Sequence, residues 1–174
     1  MERSNVSSRH QFILKHLTCL PKKILSIHGS DNITQFVLHD LCSKHCFDIP
    51  KAAYFVDNPD FNCFKGIAGY SSDDCYPDDD CWKNPASFSK FMEHCLFNRS
   101  VKSIENHSPC LSNEQDTELI NNLSKQLSFN HPHHFKWTMK HDNHGFLIYE
   151  KPEGADFEEE FIESFSILGL CPLF

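Results

Sequence analysis

The segment Ile24-Leu25-Ser26-Ile27-His28-Gly29-Ser30-Asp31, taken with Ala52-Ala53-Tyr54-Phe55-Val56-Asp57-Asn58-Pro59-Asp60 downstream, decides the expected fold. Its first four residues read as a short buried strand, and the next four as a turn rich in helix-capping residues. Between the two stretches, Ile33, Phe36, Val37 and Leu41 recur at the spacing of a core-facing helix that should stop before Pro50. Residues 52–56 form a second apolar run, closed by the turn-rich residues 57–60. Strand, helix and strand within about 34 residues match the size of a βαβ unit, whose two strands run parallel.

Outward from this unit, residues 7–18 suit a short helix ending before Pro21, and residues 64–70 a further strand. Residues 71–83 form an acidic loop. Asn84 caps and Pro85 opens a helix along Phe88, Phe91, Met92, Cys95 and Leu96. Ser112 with Gln115 forms a capping box for another, with Leu119, Ile120, Leu123 and Leu127 facing inward. Phe135, Trp137 and Met139 alternate with polar residues, as a half-buried strand should, and the turn at 141–145 leads into Phe146-Leu147-Ile148-Tyr149, giving a hairpin. Asp156 with Glu159 opens a last helix along Phe157, Phe161, Phe165 and Leu168. The expected fold class is α/β or α+β. It is a single domain over 1–174 with an N-terminal βαβ unit, central helices, a C-terminal β-hairpin and a closing helix.

Sixteen Lys and Arg stand against 24 Asp and Glu, a formal net charge of −8. An acidic chain without a Lys/Arg cluster is a poor ligand for a phosphate backbone, where affinity comes from displaced counterions, so nucleic acid is not expected as a partner. The short apolar runs of the chain fall far short of the roughly 20 residues that span a bilayer. Twelve His and nine Cys are unusually many. The odd Cys count and the lack of a cleavable leader point to free thiols in a reducing, cytoplasmic setting rather than a disulfide framework.

Three clusters carry chemistry. In the βαβ arrangement His28 and Asp57 both follow the carboxyl ends of neighbouring strands, where ligands collect in open α/β sheets. His28 is then a candidate base or ligand, with Asp57 or Asp60 orienting it or sharing a metal. The structural alternative is a turn at 57–60 whose side chains bond their own backbone. At about 100° per residue, His39, Cys42 and Cys46 fall within roughly 60° of one another on a helix over residues 32–46. Three soft ligands so aligned suit Zn²⁺ or Fe, given a fourth from elsewhere. The alternative is a second covered face with Cys as small hydrophobes. His131, His133, His134, His141 and His144 form the third cluster, placed at strand and turn ends. The acidic loop, with Asp73, Asp74, Asp78, Asp79 and Asp80, does not follow the EF-hand pattern.

Asp40 interrupts the apolar stripe of its helix, so it is either at the rim or buried and paired. The pair His39-Asp40, in Phe-Val-Leu-His-Asp-Leu, is similar to the dyad of the metal-dependent HD phosphohydrolases, over about six residues. That resemblance implies an all-helical fold and further ligands, for which His10 or His16 and Asp116 are the available residues. The strands expected at 51–56 and 135–149 oppose it. The ending Cys171-Pro172-Leu173-Phe174 loosely fits a prenylation pattern, with an acidic rather than basic region upstream.

Two functions follow as expectations. One is metal-assisted hydrolysis at a His/Cys/Asp site, a divalent metal lowering the pKa of a water and Asp57 or Asp60 acting as base. The other is a non-catalytic interaction or regulatory protein that meets a protein partner through its acidic loop and a Phe-rich surface.

Overall fold

A computed structural model describes residues 2–27, 29–78, 80–106, 113–152 and 162–171. The first helix, α1 (Glu2–Ser26), runs straight through Pro21. Residues 24–27, expected as a strand, are its last turn and exit. The reason lies in a stripe at three- and four-residue spacing: Ile13, Leu20 and Ile27 are buried, and Leu17 and Ile24 pack against the same core. Burying an aliphatic side chain is worth about 1.5–3 kcal/mol. Together these residues outweigh the roughly 3 kcal/mol that a proline costs inside a helix.

The second helix, α2 (Ile33–Cys42), buries nine of its ten residues. The chain then turns back, with Asp48 in the left-handed region at φ 55°, and enters β1 (Lys51–Asn58). The strands β1 and β2 (Cys63–Ser71) form a hairpin through the 3₁₀ turn Pro59–Phe61, where Asn58 Oδ1 accepts the Phe61 N–H and Asn62 takes φ 50°. There follow α3 (Pro85–His94), α4 (Leu96–Lys102), the two-residue β3 (Glu105–Asn106) and α5 (Asn113–Gln126). The strands β4 (Pro132–Thr138) and β5 (His144–Glu150) make the expected hairpin, and a 3₁₀ helix (Glu163–Leu170) closes the described chain. The Asn84 cap holds as expected, accepting the Ser87 N–H. The capping box at Ser112 and the opening of the last helix at Asp156 and Glu159 lie outside the described residues.

The sheet order is β3-β2-β1-β5-β4 and every pairing is antiparallel. The expected parallel βαβ unit is therefore replaced by a single-domain α+β arrangement. With residues 24–27 helical, β1 has no earlier strand to run beside, and it pairs instead with its own hairpin mate and with β5. Both sheet faces are covered, which is why β1 reads as a continuous apolar run. Ala52, Tyr54, Val56, Leu147 and Tyr149 face the core shared with α1, α2 and the closing 3₁₀ helix. Ala53, Phe55, Phe146 and Ile148 face Val101 of α4 and Leu123 of α5.

The two sheet edges differ. Beyond β3, the outer edge of β2 is sealed by α4 and the turn after it: Gly66 N–H donates to the Ile104 carbonyl at 2.9 Å, and Gly69 N–H donates to Asn98 Oδ1 at 3.0 Å. Asn98 is buried and donates in turn to the Met92 carbonyl. Two glycines make this approach possible, because a Cβ on Gly66 would stand 1.9 Å from the Val101 carbonyl oxygen and one on Gly69 would stand 2.7 Å from the Val101 side chain. At the opposite edge, no strand among the described residues pairs with the outer side of β4.

Candidate functional site

The residues expected to act together are dispersed. His28 lies outside the described residues, and the strand end expected to carry it is helical. Asp57 is 2% exposed within β1, while Asp60 is exposed in the turn beyond it, so the two do not share a surface. Asn58 bonding its own turn matches the structural alternative for that stretch. The register places Asp57 directly across from His144 of β5, with Thr138 of β4 next in the same row. This neighbour was hidden from sequence reasoning because 87 positions separate the two residues and only the sheet register joins them.

Of the expected metal ligands, His39 and Cys42 lie on α2, which ends at Cys42, so Cys46 lies in the following turn and the helical angles no longer relate it to His39. His39 Nε2 accepts the Tyr76 N–H, and its ring meets Tyr70 and Phe88 edge-on. Burial pushes its pKa down to about 4, against the opposing pull of Asp40. Burial, then the neighbouring Cys46, pushes the Cys42 thiol well above its ordinary range. A thiol held protonated is a poor ligand and nucleophile. Among the described residues, no three or more His, Cys, Asp or Glu side chains group to hold a metal ion. Cys81, Cys95 and Cys171 are likewise free and buried, the last two with thiols pushed up to about 11, chiefly by burial.

Asp40 is buried and paired, as a carboxylate in an apolar stripe requires. Its Oδ2 lies 2.9 Å from His16 Nε2 and 3.3 Å from Lys23 Nζ, fastening α1 to α2. Burial alone would raise its pKa, but the His16 bond and charge, aided by Lys23, bring it below the ordinary carboxylate value. The resemblance to the HD dyad does not extend to the fold, which contains a five-stranded sheet. Moreover α5, which carries Asp116, packs on the sheet face opposite to α2.

The features expected to meet a partner are in part engaged within the chain itself. Phe36, Phe88 and Phe165 are fully buried, so the helices present core rather than a Phe-rich surface, although Phe12 and Phe61 are exposed. In the acidic loop, Asp74 Oδ2 accepts the N–H groups of Leu96 and Phe97 at the start of α4, and Asp80 accepts the Trp82 N–H. Asp79 lies outside the described residues. No helix among those described is long and apolar enough to cross a membrane.

What remains is β4 and the turn beyond it. His133 and His134 are exposed on β4, and His131 just before it. Trp137 stacks on Tyr54 at 5.4 Å with an interplanar angle of 8°, lying over Gly145, where a Cβ would stand 2.2 Å from the indole. His141 and Asp142, both non-glycine, adopt φ of 60° and 55° in the turn. Beside them a cavity of about 700 Å³ opens between the end of β4, this turn and the closing 3₁₀ helix. Two of its lining residues hold buried polar atoms that have no hydrogen-bond partner among the described residues, Trp137 Nε1 and Asn143 Oδ1. Orphaned polar atoms, left-handed non-glycine backbone and a cavity coinciding at one place mark it as the best candidate for function. No family model matches the chain, and no curated protein or solved structure matches it either.

Proposed function

We propose that this chain is a non-catalytic protein-interaction module that receives an extended segment of a partner as an added strand beside β4. The observation that carries the reading is the asymmetry of the sheet. One edge is closed by a dedicated helix, two close-approach glycines and a buried asparagine, whereas the other ends in a seven-residue strand with no described neighbour. Edges are a liability that proteins ordinarily blunt, and strand addition is the recurring use of one left open. Pro132 at the start of β4 fits an edge position, since proline cannot donate to a ladder.

The test is selection of eight-residue peptides from a displayed random library, followed by hydrogen exchange of the chain with each selected peptide. Slowed exchange across Pro132–Thr138, lost when alternate peptide amides are N-methylated, is the expected result. Peptides that protect a different element, or bind equally well when N-methylated, would sink the reading.

A hydrolytic reading keeps one observation, the placement of Asp57 opposite His144, a pairing that suits general acid–base work. Under the interaction reading, Asp57→Asn changes no turnover of generic phosphoester or carboxyl ester substrates. A reproducible hydrolysis by the parent chain, lost in Asp57→Asn without loss of folding, would reverse the preference.

A further inference from the structure

We propose that the cleft between the start of α2, the end of α3 and α4 binds a short peptide of about two to four residues, held by its two free termini and by one of its amides. The cleft shares no lining residue with the cavity at β4, so this site goes beyond strand addition and does not depend on it.

Gln35 of α2 lines the cleft, which has a volume of about 1090 Å³. Gln35 is 7% exposed, and its carboxamide has no hydrogen-bond partner among the described residues. Unlike Trp137 Nε1 and Asn143 Oδ1, its polar atoms are not sealed from solvent, so a ligand in the cleft reaches them. A carboxamide offers an acceptor oxygen and an NH₂ donor, and a peptide bond offers the complementary N–H and C=O. The two groups pair reciprocally, which supplies the partner that a buried polar group requires.

Neighbouring polar groups are already spent. Asn32 Nδ2 donates to Ser89 Oγ at 3.0 Å, tying the start of α2 to α3. Ser100 Oγ donates to the Leu96 carbonyl and Ser103 Oγ to the Ser100 carbonyl, while Asn98 is engaged by Gly69 and Met92. These bonds fix the walls before a ligand arrives.

Charge selects the ends of the ligand. Arg99 and Lys102 of α4, Glu93 of α3 and Asp31 before α2 are exposed on the lining, and none of the four forms an ion pair among the described residues. Opposite charges that share a cleft without closing on one another match a molecule carrying both signs. A lone anion would meet the two carboxylates, and a lone cation the two bases. In a short peptide the terminal carboxylate suits the forked Arg99 guanidinium and the terminal ammonium suits Glu93 or Asp31, with an amide left for Gln35. No aromatic side chain lines the cleft, so a nucleobase finds no face to stack on.

The experiment titrates the full ¹⁵N-labelled chain with trialanine, with N-acetyl-trialanine amide and with free alanine, following amide and side-chain resonances. Trialanine should give saturable shifts of the Gln35 carboxamide and of the Arg99 side chain. The end-blocked peptide, which lacks both charges, and alanine, which lacks an amide, should each bind at least about tenfold more weakly. Gln35→Met, Arg99→Gln and Glu93→Gln should each weaken trialanine several-fold, and the last two are exposed sites neutral for folding. No saturable shift of the Gln35 carboxamide overturns the site, whatever the variants do. Equal binding of the end-blocked peptide overturns recognition of the termini, and equal binding of alanine overturns recognition of the amide. Shifts confined to β4 would assign the peptide to the open sheet edge and overturn the cleft as its site.

Discussion

Replacing Gly66 by alanine will destabilise the chain by about 3 kcal/mol or more, at the upper end for overpacking a closed interior. The added Cβ would stand 1.9 Å from the Val101 carbonyl oxygen and 2.7 Å from its carbonyl carbon, and these are backbone atoms of α4 that cannot turn aside as a side chain can. To admit the methyl, α4 must lift from β2, which also breaks the Gly66 bond to Ile104 and the Asn98 bridge to Gly69. A useful control is Gly29→Ala. That site has nothing within 4 Å of its Cβ position but a φ of +95°, so only backbone strain of about 1–2 kcal/mol is added. Urea titrations of the three proteins give the comparison. A Gly66→Ala midpoint indistinguishable from the parent would mean that α4 does not lie against β2 as described.

The second large effect is on acid stability, and its sign follows from two groups. His39 has a folded pKa of about 4 against 6.5 for an unperturbed imidazole, mainly through burial. Between those values the unfolded chain binds a proton that the folded chain refuses, so stability falls as pH falls through that window, by about 3 kcal/mol in total. Below it Asp40 takes over. Its folded pKa lies under the ordinary carboxylate value, so its contribution is complete above that value and is lost as pH falls further, once the carboxylate that His16 and Lys23 hold becomes protonated. Thermal melts from pH 7 to pH 2 should show both limbs. His39→Gln should flatten the upper limb, since its carboxamide oxygen still accepts the Tyr76 N–H but does not titrate. Asp40→Asn should flatten the lower limb and lower the melting temperature at neutral pH. Unchanged pH profiles in both variants would contradict the burial of this pair.

Much of the fold was legible in local signals. The α3 boundary rested on Asn84 and Pro85, which act within one turn, and the β4–β5 hairpin on alternation plus a polar turn. The failure at residues 24–27 has a physical cause. A short apolar run satisfies strand and helix periodicity alike, and Pro21 looked like a stop. Only the longer stripe Ile13, Leu17, Leu20, Ile24 and Ile27, counted through the proline, distinguishes them. One wrong element then changed the expected sheet, since without a strand at 24–27 no crossover joins β1 to a parallel neighbour and it pairs antiparallel with β2 and β5. The alignment of His39, Cys42 and Cys46 misled for a related reason, because its angles assumed a helix continuing four residues past its end. For the site, His141 and His144 stood out in the sequence, but the pairing of Asp57 with His144 and the orphaned atoms of Trp137 and Asn143 depend on register and packing. Asp40 was the exception: a charge in an apolar stripe announced that a partner had to exist, though not which one.

The seal that α4 places on β2 also limits how copies of this chain can assemble. Head-to-tail contact propagates only when each subunit offers two different complementary surfaces, a donor side and an acceptor side. A sheet exposed at both ends meets that condition and can grow into a filament. Here the outer edge of β2 is occupied by the molecule's own helix and by the two-residue β3, so among the described strands β4 is the one edge longer than two residues, and a β4-to-β4 pairing is a two-fold contact that is complete at two copies. The chain can therefore leave β4 open without inviting indefinite stacking.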